Sequence, residues 1–434
     1  MSEPSRLPGA SPDQPAHPQD TVRLATILRE WGRIGVLGFG GPPAHIRLLR
    51  QLCVERKGWL DAREFEDAIA VCNLMPGPAS TQLAIFCAWR LRGRAGALVG
   101  GLAFIVPGLI IILALAVLFV AGTPPLWALG AGAGAGAAVP AVAVQAGWSL
   151  LGPSWRNKAS AWRWLLYCTA GFAAAATIGV WLVFVLLGCG LIELLTRTRP
   201  GRRRPDDAAG RTRSAAESAA PDPGAAADGG SEGNSGSQGK YSAIAAAPAV
   251  VWAVGGGVLA SVAWEAFKIG GLSFGGGFVI IPLMQADAVY RYHWMTGAQF
   301  LNAVALGQIT PGPVVQTVAV VGYAAAGIAG GLLASAVAFT PSFLLVLFGG
   351  PRFSLIRNDN RARAFLDGSG PAAIGAILGS AIALTRELSH PWQFLVLGGA
   401  LLALLPLNRG VVLTLLSAAA IGIIIALVTG SVAA

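Results

Sequence analysis

Long apolar tracts, separated by short polar or glycine-rich breaks, fill most of this chain. In the N-terminal part they lie at about 22–41, 95–121, 126–150, 161–177 and 178–196. In the C-terminal part they lie at about 248–284, 325–350, 366–385, 392–407 and 411–430. A bilayer crossing takes about 20 mostly apolar residues, so the pattern predicts an all-α polytopic membrane protein with roughly ten crossings.

Composition supports that class. Hydrophobic residues make up 54% of the chain and charged residues 12%, whereas a soluble domain carries roughly 25% charged residues. A soluble enzyme is excluded, as are a disordered and a fibrous chain. The 58 glycines suit close helix packing in lipid, where apolar side chains have little drive to associate. The formal net charge of +10 fits the positive-inside bias of a membrane protein; no basic domain that would bind nucleic acid is visible. The five cysteines have no CxxC spacing and are read as packing residues. No metal-spaced cluster, phosphate-binding loop or catalytic constellation is present in the sequence, so neither an enzyme nor a cofactor is expected.

Two segments stand outside the apolar pattern. Residues 1–20 are polar and proline-rich, without the apolar core of a secretory signal, and predict a disordered tail. Residues 198–242 are Ala/Gly/Ser/Pro-rich and begin with an arginine run that includes Arg199, Arg202, Arg203 and Arg204. They predict a flexible linker on the cytoplasmic side.

The linker separates two halves, 21–197 and 243–434, that repeat each other. Glu30, Gly35, Phe39, Gly40 and Gly41 recur at a constant offset of 235 as Glu265, Gly270, Phe274, Gly275 and Gly276. Pro76-Gly77-Pro78 recurs as Pro311-Gly312-Pro313. Loops that are basic in one half are poor in basic residues in the other. Arg90, Arg92 and Arg94 face the uncharged 322–327, and Gly122–Pro125 faces Arg352, Arg357, Arg361 and Arg363. Such alternation predicts an inverted-topology repeat, common among secondary transporters. The Pro-Gly-Pro segments, about 61–90 and 296–323, are either re-entrant hairpins, giving ten crossings, or broken spans, giving twelve. The positive-inside rule favours ten.

Two motifs carry candidate chemistry. Phe39-Gly40-Gly41 and Phe274-Gly275-Gly276 interrupt a helix, because each glycine costs about 1 kcal/mol relative to alanine there. Unwound backbone at membrane depth lines protein or a water-filled cavity, so these breaks are candidate substrate-facing elements. In the second motif, Pro-Gly-Pro stops one helix and starts another. The new helix exposes free N–H groups and its positive dipole end, a ready anion site. Asn73, Ser80, Thr81 and Gln82 flank the first break; Gln308, Thr310, Gln316 and Thr317 flank the second. A turn capped by its own polar residues is the alternative reading.

Charged groups near the breaks are candidates for proton coupling or substrate attraction. Glu30 and Arg33 match Glu265 and Lys268, each pair three residues apart on one helical face. They could equally neutralise one another. Asp67 has Asn302 as its counterpart, and His45 has Ile280.

These motifs together resemble the chromate ion transporter family, in the long form that fuses two homologous halves. The resemblance covers about 22–197 and 243–434. It implies efflux of chromate across the bacterial inner membrane and chromate resistance, with alternating access around the paired helix starts. It leaves the coupling ion open between proton and counter-anion. Sulfate has the shape and charge of chromate, so a sulfate or general oxyanion carrier is the nearest alternative; a non-transporting membrane scaffold is another. A homodimer is compatible with the sequence.

Overall fold

The computed structural model describes residues 22–120, 124–156, 158, 160–177, 182–198, 257–273, 277–350 and 360–431. Within them half one contains α1 (Leu24–Leu37), α2 (Pro42–Arg50) continued by a π-helical turn (Gln51–Arg56), α3 (Ala62–Leu74), α4 (Ala79–Val120), α5 (Leu126–Arg156), α6 (Ala161–Thr177) and α7 (Leu182–Thr198). Half two contains α8 (Val258–Leu272), α9 (Ile281–Gln285) with its own π turn (Ala286–Arg291), α10 (Gly297–Ile309), a 3₁₀ turn (Val314–Gln316) leading into α11 (Thr317–Gly349), α12 (Asn360–Thr385), α13 (Pro391–Leu404) and α14 (Val411–Thr429). No strand occurs among the described residues. Each helix of half one thus has a counterpart seven places later.

The offset is not constant along the whole repeat. It is 235 through the Pro-Gly-Pro break, then 234 along α4/α11, where Pro107 matches Pro341. Half two has one residue fewer and starts its helix with a three-residue 3₁₀ turn. At about 2.0 Å rise per residue, three such residues cover the length of four α-helical ones at about 1.5 Å. Gln82 therefore corresponds to Gln316 rather than to Thr317.

Helices α4 and α11 each fold back on themselves. Arg92 and Gly93 leave helical geometry, Gly93 at φ 58°; Ala326 and Gly327 do the same, Gly327 at φ 62°. Small residues let the two arms close up: a Cβ on Gly96 would collide with the Ala88 carbonyl, and one on Gly322 with that of Gly330. The first arm of α4 also returns along α3, because Arg90 at its end pairs with Glu64 at the start of α3. The Pro-Gly-Pro segment is thus a helical hairpin whose two ends lie together.

The first apolar tract is corrected. The expectation was a crossing over about 22–41, but α1 ends at Leu37 after 14 residues, about 21 Å at the helical rise and short of the roughly 30 Å hydrocarbon core. The chain then reverses. Trp59, beyond the π turn, stacks on Trp31 with ring centroids 6.3 Å apart. Likewise the tract at 248–284 is interrupted after Leu272.

The halves exchange helices. α5 packs against α13 and α14, whereas α12 packs against α6 and α7. Glycine makes these contacts close: a Cβ on Gly134 would meet the Ala418 carbonyl, and one on Gly171 the Ala372 carbonyl. The second arms of α4 and α11 run antiparallel, since Gly101 meets Phe343 and Gly331 meets Leu113. A buried carboxylate also ties the halves. Glu193 is held by Arg163 at 3.1 Å and Arg197 at 2.9 Å, and Arg197 reaches Asp367 of α12 at 2.8 Å.

Candidate functional site

Both Pro-Gly-Pro breaks have the same local build. Met75 and Thr310 leave the helix into extended backbone, their N–H groups still bonded to Val71 and Leu306. Gly77 and Gly312 then take φ of +120° and +103°, a region that side chains disfavour. After Pro78, the amides of Thr81 and Gln82 bond back to its carbonyl at 3.0 Å. The amides before them at the start of α4 have no intrahelical acceptor.

Each break packs on the proline-containing helix of the other half. A Cβ on Gly77 would lie 3.0 Å from Ser342 Oγ, one residue after Pro341. A Cβ on Gly108, one residue after Pro107, would collide with the Pro311 carbonyl. This reciprocity expresses a two-fold relation between the halves. Gln316 extends it by donating to the Ile105 carbonyl at 2.6 Å. Gln82 instead donates to Pro76 within its own half, also at 2.6 Å.

One hydrogen-bonded chain joins the breaks. The Gly312 amide donates to the Gly38 carbonyl at 3.2 Å. His45 Nε2 lies 2.9 Å from the same carbonyl, and Nδ1 lies 3.4 Å from Ser80 Oγ. A carbonyl only accepts, so Nε2 carries a proton, and in the neutral imidazole Nδ1 accepts from the Ser80 hydroxyl. The imidazole is fully buried and stands edge-on to Phe104, centroids 5.0 Å apart.

Buried polar atoms without partners cluster on the same elements: Thr81 Oγ1, Gln82 Oε1, Gln308 Nε2, Gln316 Oε1, Ser273 Oγ and Ser342 Oγ. Unpaired buried polar groups are expensive and call for an explanation such as a ligand or water. The groups assembled here are amides, hydroxyls and one imidazole. The hydroxyls of Thr81, Ser273 and Ser342 and the Gln308 amide nitrogen can donate to a small anion, as can free amides at helix starts, whereas Gln82 Oε1 and Gln316 Oε1 only accept.

The remaining expected residues divide clearly. Pro78, Pro311 and Pro313 are buried at the breaks, whereas Asn73, Pro76, Phe39 and Gly40 are exposed. Gly41 lies against Val314, as does Gly277 of the second glycine break. Phe274, Gly275 and Gly276 lie outside the described residues. The Thr310 and Thr317 hydroxyls donate to the Leu306 and Val314 carbonyls of their own turns at 2.8 and 2.9 Å. Ser342, Ser273 and Gly108 were missed. The Pro107/Pro341 match was the available signal, since it places Gly108 and Ser342 at equivalent positions.

The matched charges also part ways. Glu265 pairs with Lys268 at 2.6 Å. No ion pair joins Glu30 to Arg33 among the described residues, and Arg33 is exposed. Asp67 is half-buried on α3. No group of three or more metal-ligating side chains occurs among the described residues. A groove of about 470 Å³ between α13 and α14, lined by Trp392, Leu395, Arg409 and Leu413 among others, shares no residue with the site.

The chromate transporter family model matches residues 25–194 and 260–423. The chain is 29% identical over 379 residues to the chromate transport protein of Cupriavidus metallidurans, covering 86% of this chain and 85% of that one. It is 29% identical to a chromate transport protein of Pseudomonas aeruginosa, covering 86% and 83%. It is 26% identical to a probable chromate transport protein of Synechococcus elongatus, covering 89% and 91%. No solved structure matches the chain. The chain belongs to the chromate transporter family.

Proposed function

We propose that this member of the family is a secondary transporter that exports chromate across the bacterial inner membrane and so confers chromate resistance. The observation that carries the reading is the chain Gly312–Gly38–His45–Ser80, which couples the helix starts of both halves. Unpartnered polar atoms surround it. A tetrahedral dianion suits free amides and hydroxyls at two helix ends.

The halves sit inverted in the membrane, and the antiparallel second arms of α4 and α11 support this. The basic residues gathered near Glu64–Arg90 and Glu193–Arg197 mark the cytoplasmic face, where the linker at 198–242 begins. Exchange of α5 and α12 between the halves makes each half move as a unit with part of the other, a basis for alternating access around a central site.

Uptake of radiolabelled chromate into inside-out vesicles tests the reading. Accumulation above vesicles lacking the protein is expected. Its absence, with insertion verified, overturns transport. Equal displacement by sulfate and chromate would widen the substrate to oxyanions in general.

A further inference from the structure

Half two holds a charge cluster that half one lacks. Glu265 and Lys268 project from α8, Asp287 and Arg291 from the π turn after α9. Both carboxylates have side chains only 1% exposed. Lys268 Nζ lies 2.6 Å from Glu265 Oε2 and also pairs with Asp287. Arg291 reaches Asp287 at 3.6 Å while remaining half in water. Glu265 Oε1 is buried without a hydrogen-bond partner. In half one Leu52 stands in the place of Asp287, and Arg33 is exposed.

Among the described residues no other charge balances this cluster. α11, packed along α8, carries no charged residue, and neither does α10. Tyr290 is turned toward Glu387. Two buried carboxylates therefore share one partly buried ammonium, with Arg291 screened by water at the rim. A buried carboxylate left without a counter-charge is strongly disfavoured, and two carboxylates in one site resolve this by holding a proton.

We propose that Glu265 and Asp287, bridged by Lys268, form the binding site for one coupling proton per transport cycle. The proposal rests on the transport reading above. The proton comes from water on the Arg291 side, binds a carboxylate oxygen and leaves again as a proton, so no other reactant is needed. With it bound, Glu265, Asp287 and Lys268 sum to zero; without it these three carry one negative charge, offset only by the half-exposed Arg291 at the rim.

Geometry links that charge to the anion path. α8 ends at Ser273, whose buried Oγ has no partner. The break that follows brings Gly277 against Val314 and Val315, the first turn after the second Pro-Gly-Pro. An unprotonated cluster thus places negative charge on the two elements, α8 and the π turn, that flank this contact, and protonation removes it.

The test uses the full chain in liposomes loaded with a pH-sensitive dye, with radiolabelled chromate exchange at equal pH measured in parallel. The wild type is expected to move protons whenever a chromate gradient is imposed, with the sign reversing with the gradient. Glu265→Gln and Asp287→Asn are each expected to lower this proton flux by about tenfold, a typical coupling between sites, and to lower chromate exchange far less. Wild-type exchange without proton movement overturns the proposal and leaves transport intact. Full proton flux in both variants overturns it as well. Neither exchange nor proton flux in the wild type overturns the transport reading, and the proposal with it. Should one variant fail to assemble, the other variant and the wild-type proton measurement decide.

Discussion

The amide of Gly312 donates to the carbonyl of Gly38 at 3.2 Å, so the Pro-Gly-Pro break of one half is bonded to the glycine break of the other. Both groups come from backbone that has left its helix, and the Gly312 amide would otherwise lack a partner in lipid. The bond also fixes where His45 sits, because its Nε2 shares the same acceptor.

Alanine at the two central glycines separates strain from collision. Both positions need a left-handed φ, which costs a side chain roughly 1–3 kcal/mol. A Cβ at Gly312 meets nothing closer than 3.5 Å, whereas at Gly77 it lies 2.5 Å from Gln82 Nε2. Gly77→Ala is therefore expected to lose more thermal stability and more chromate uptake than Gly312→Ala. Leucine at either position is expected to abolish uptake. Unfolding midpoints and vesicle uptake check both.

His45 and Ser80 should act as one unit. His45→Gln and Ser80→Ala each remove the bond between them, worth about 0.5–1.5 kcal/mol. The double variant is expected to cost less than the sum of the two, as contacting residues do. Val314→Ala, which trims an apolar side chain without touching a donor, serves as the reference. Strict additivity in uptake rates would mean that the 3.4 Å contact has no role in transport.

Ser342 is expected to matter although no motif marks it. Its buried Oγ lies beside Gly77 and has no partner. Ser342→Ala should weaken chromate uptake by about 1–3 kcal/mol if the hydroxyl binds the anion. Ser380→Ala, whose hydroxyl is occupied by the Ile377 carbonyl at 2.6 Å, should leave uptake unchanged. Concentration dependence of uptake for both variants gives the comparison.

Single cysteines at Arg92 and Ala326, in a chain with its five native cysteines replaced, report the orientation of the halves. The two positions are the equivalent turns of α4 and α11. A membrane-impermeant reagent is expected to label them from opposite faces. Labelling from one face would remove the inverted arrangement.

The sequence by itself determined the helical membrane class, the duplication and the places where helices break. Lipid allows few structures besides long apolar helices, and proline and glycine act on their immediate neighbours, so these features need no distant partner. Tertiary structure decided which polar groups meet. His45 and Ser80 are 35 residues apart, and no periodicity brings an imidazole to a hydroxyl across that distance. The early return of the chain at Gly38 was also hidden, because a tract over 22–41 has the length of a span whether it crosses or turns. Asp287 lay unnoticed in an apolar stretch, and only packing of the π turn against α8 sets it beside Lys268. The shift of offset after the second Pro-Gly-Pro, too, became readable only as geometry, because a 3₁₀ turn and one fewer residue preserve the helix length that a letter-by-letter match does not.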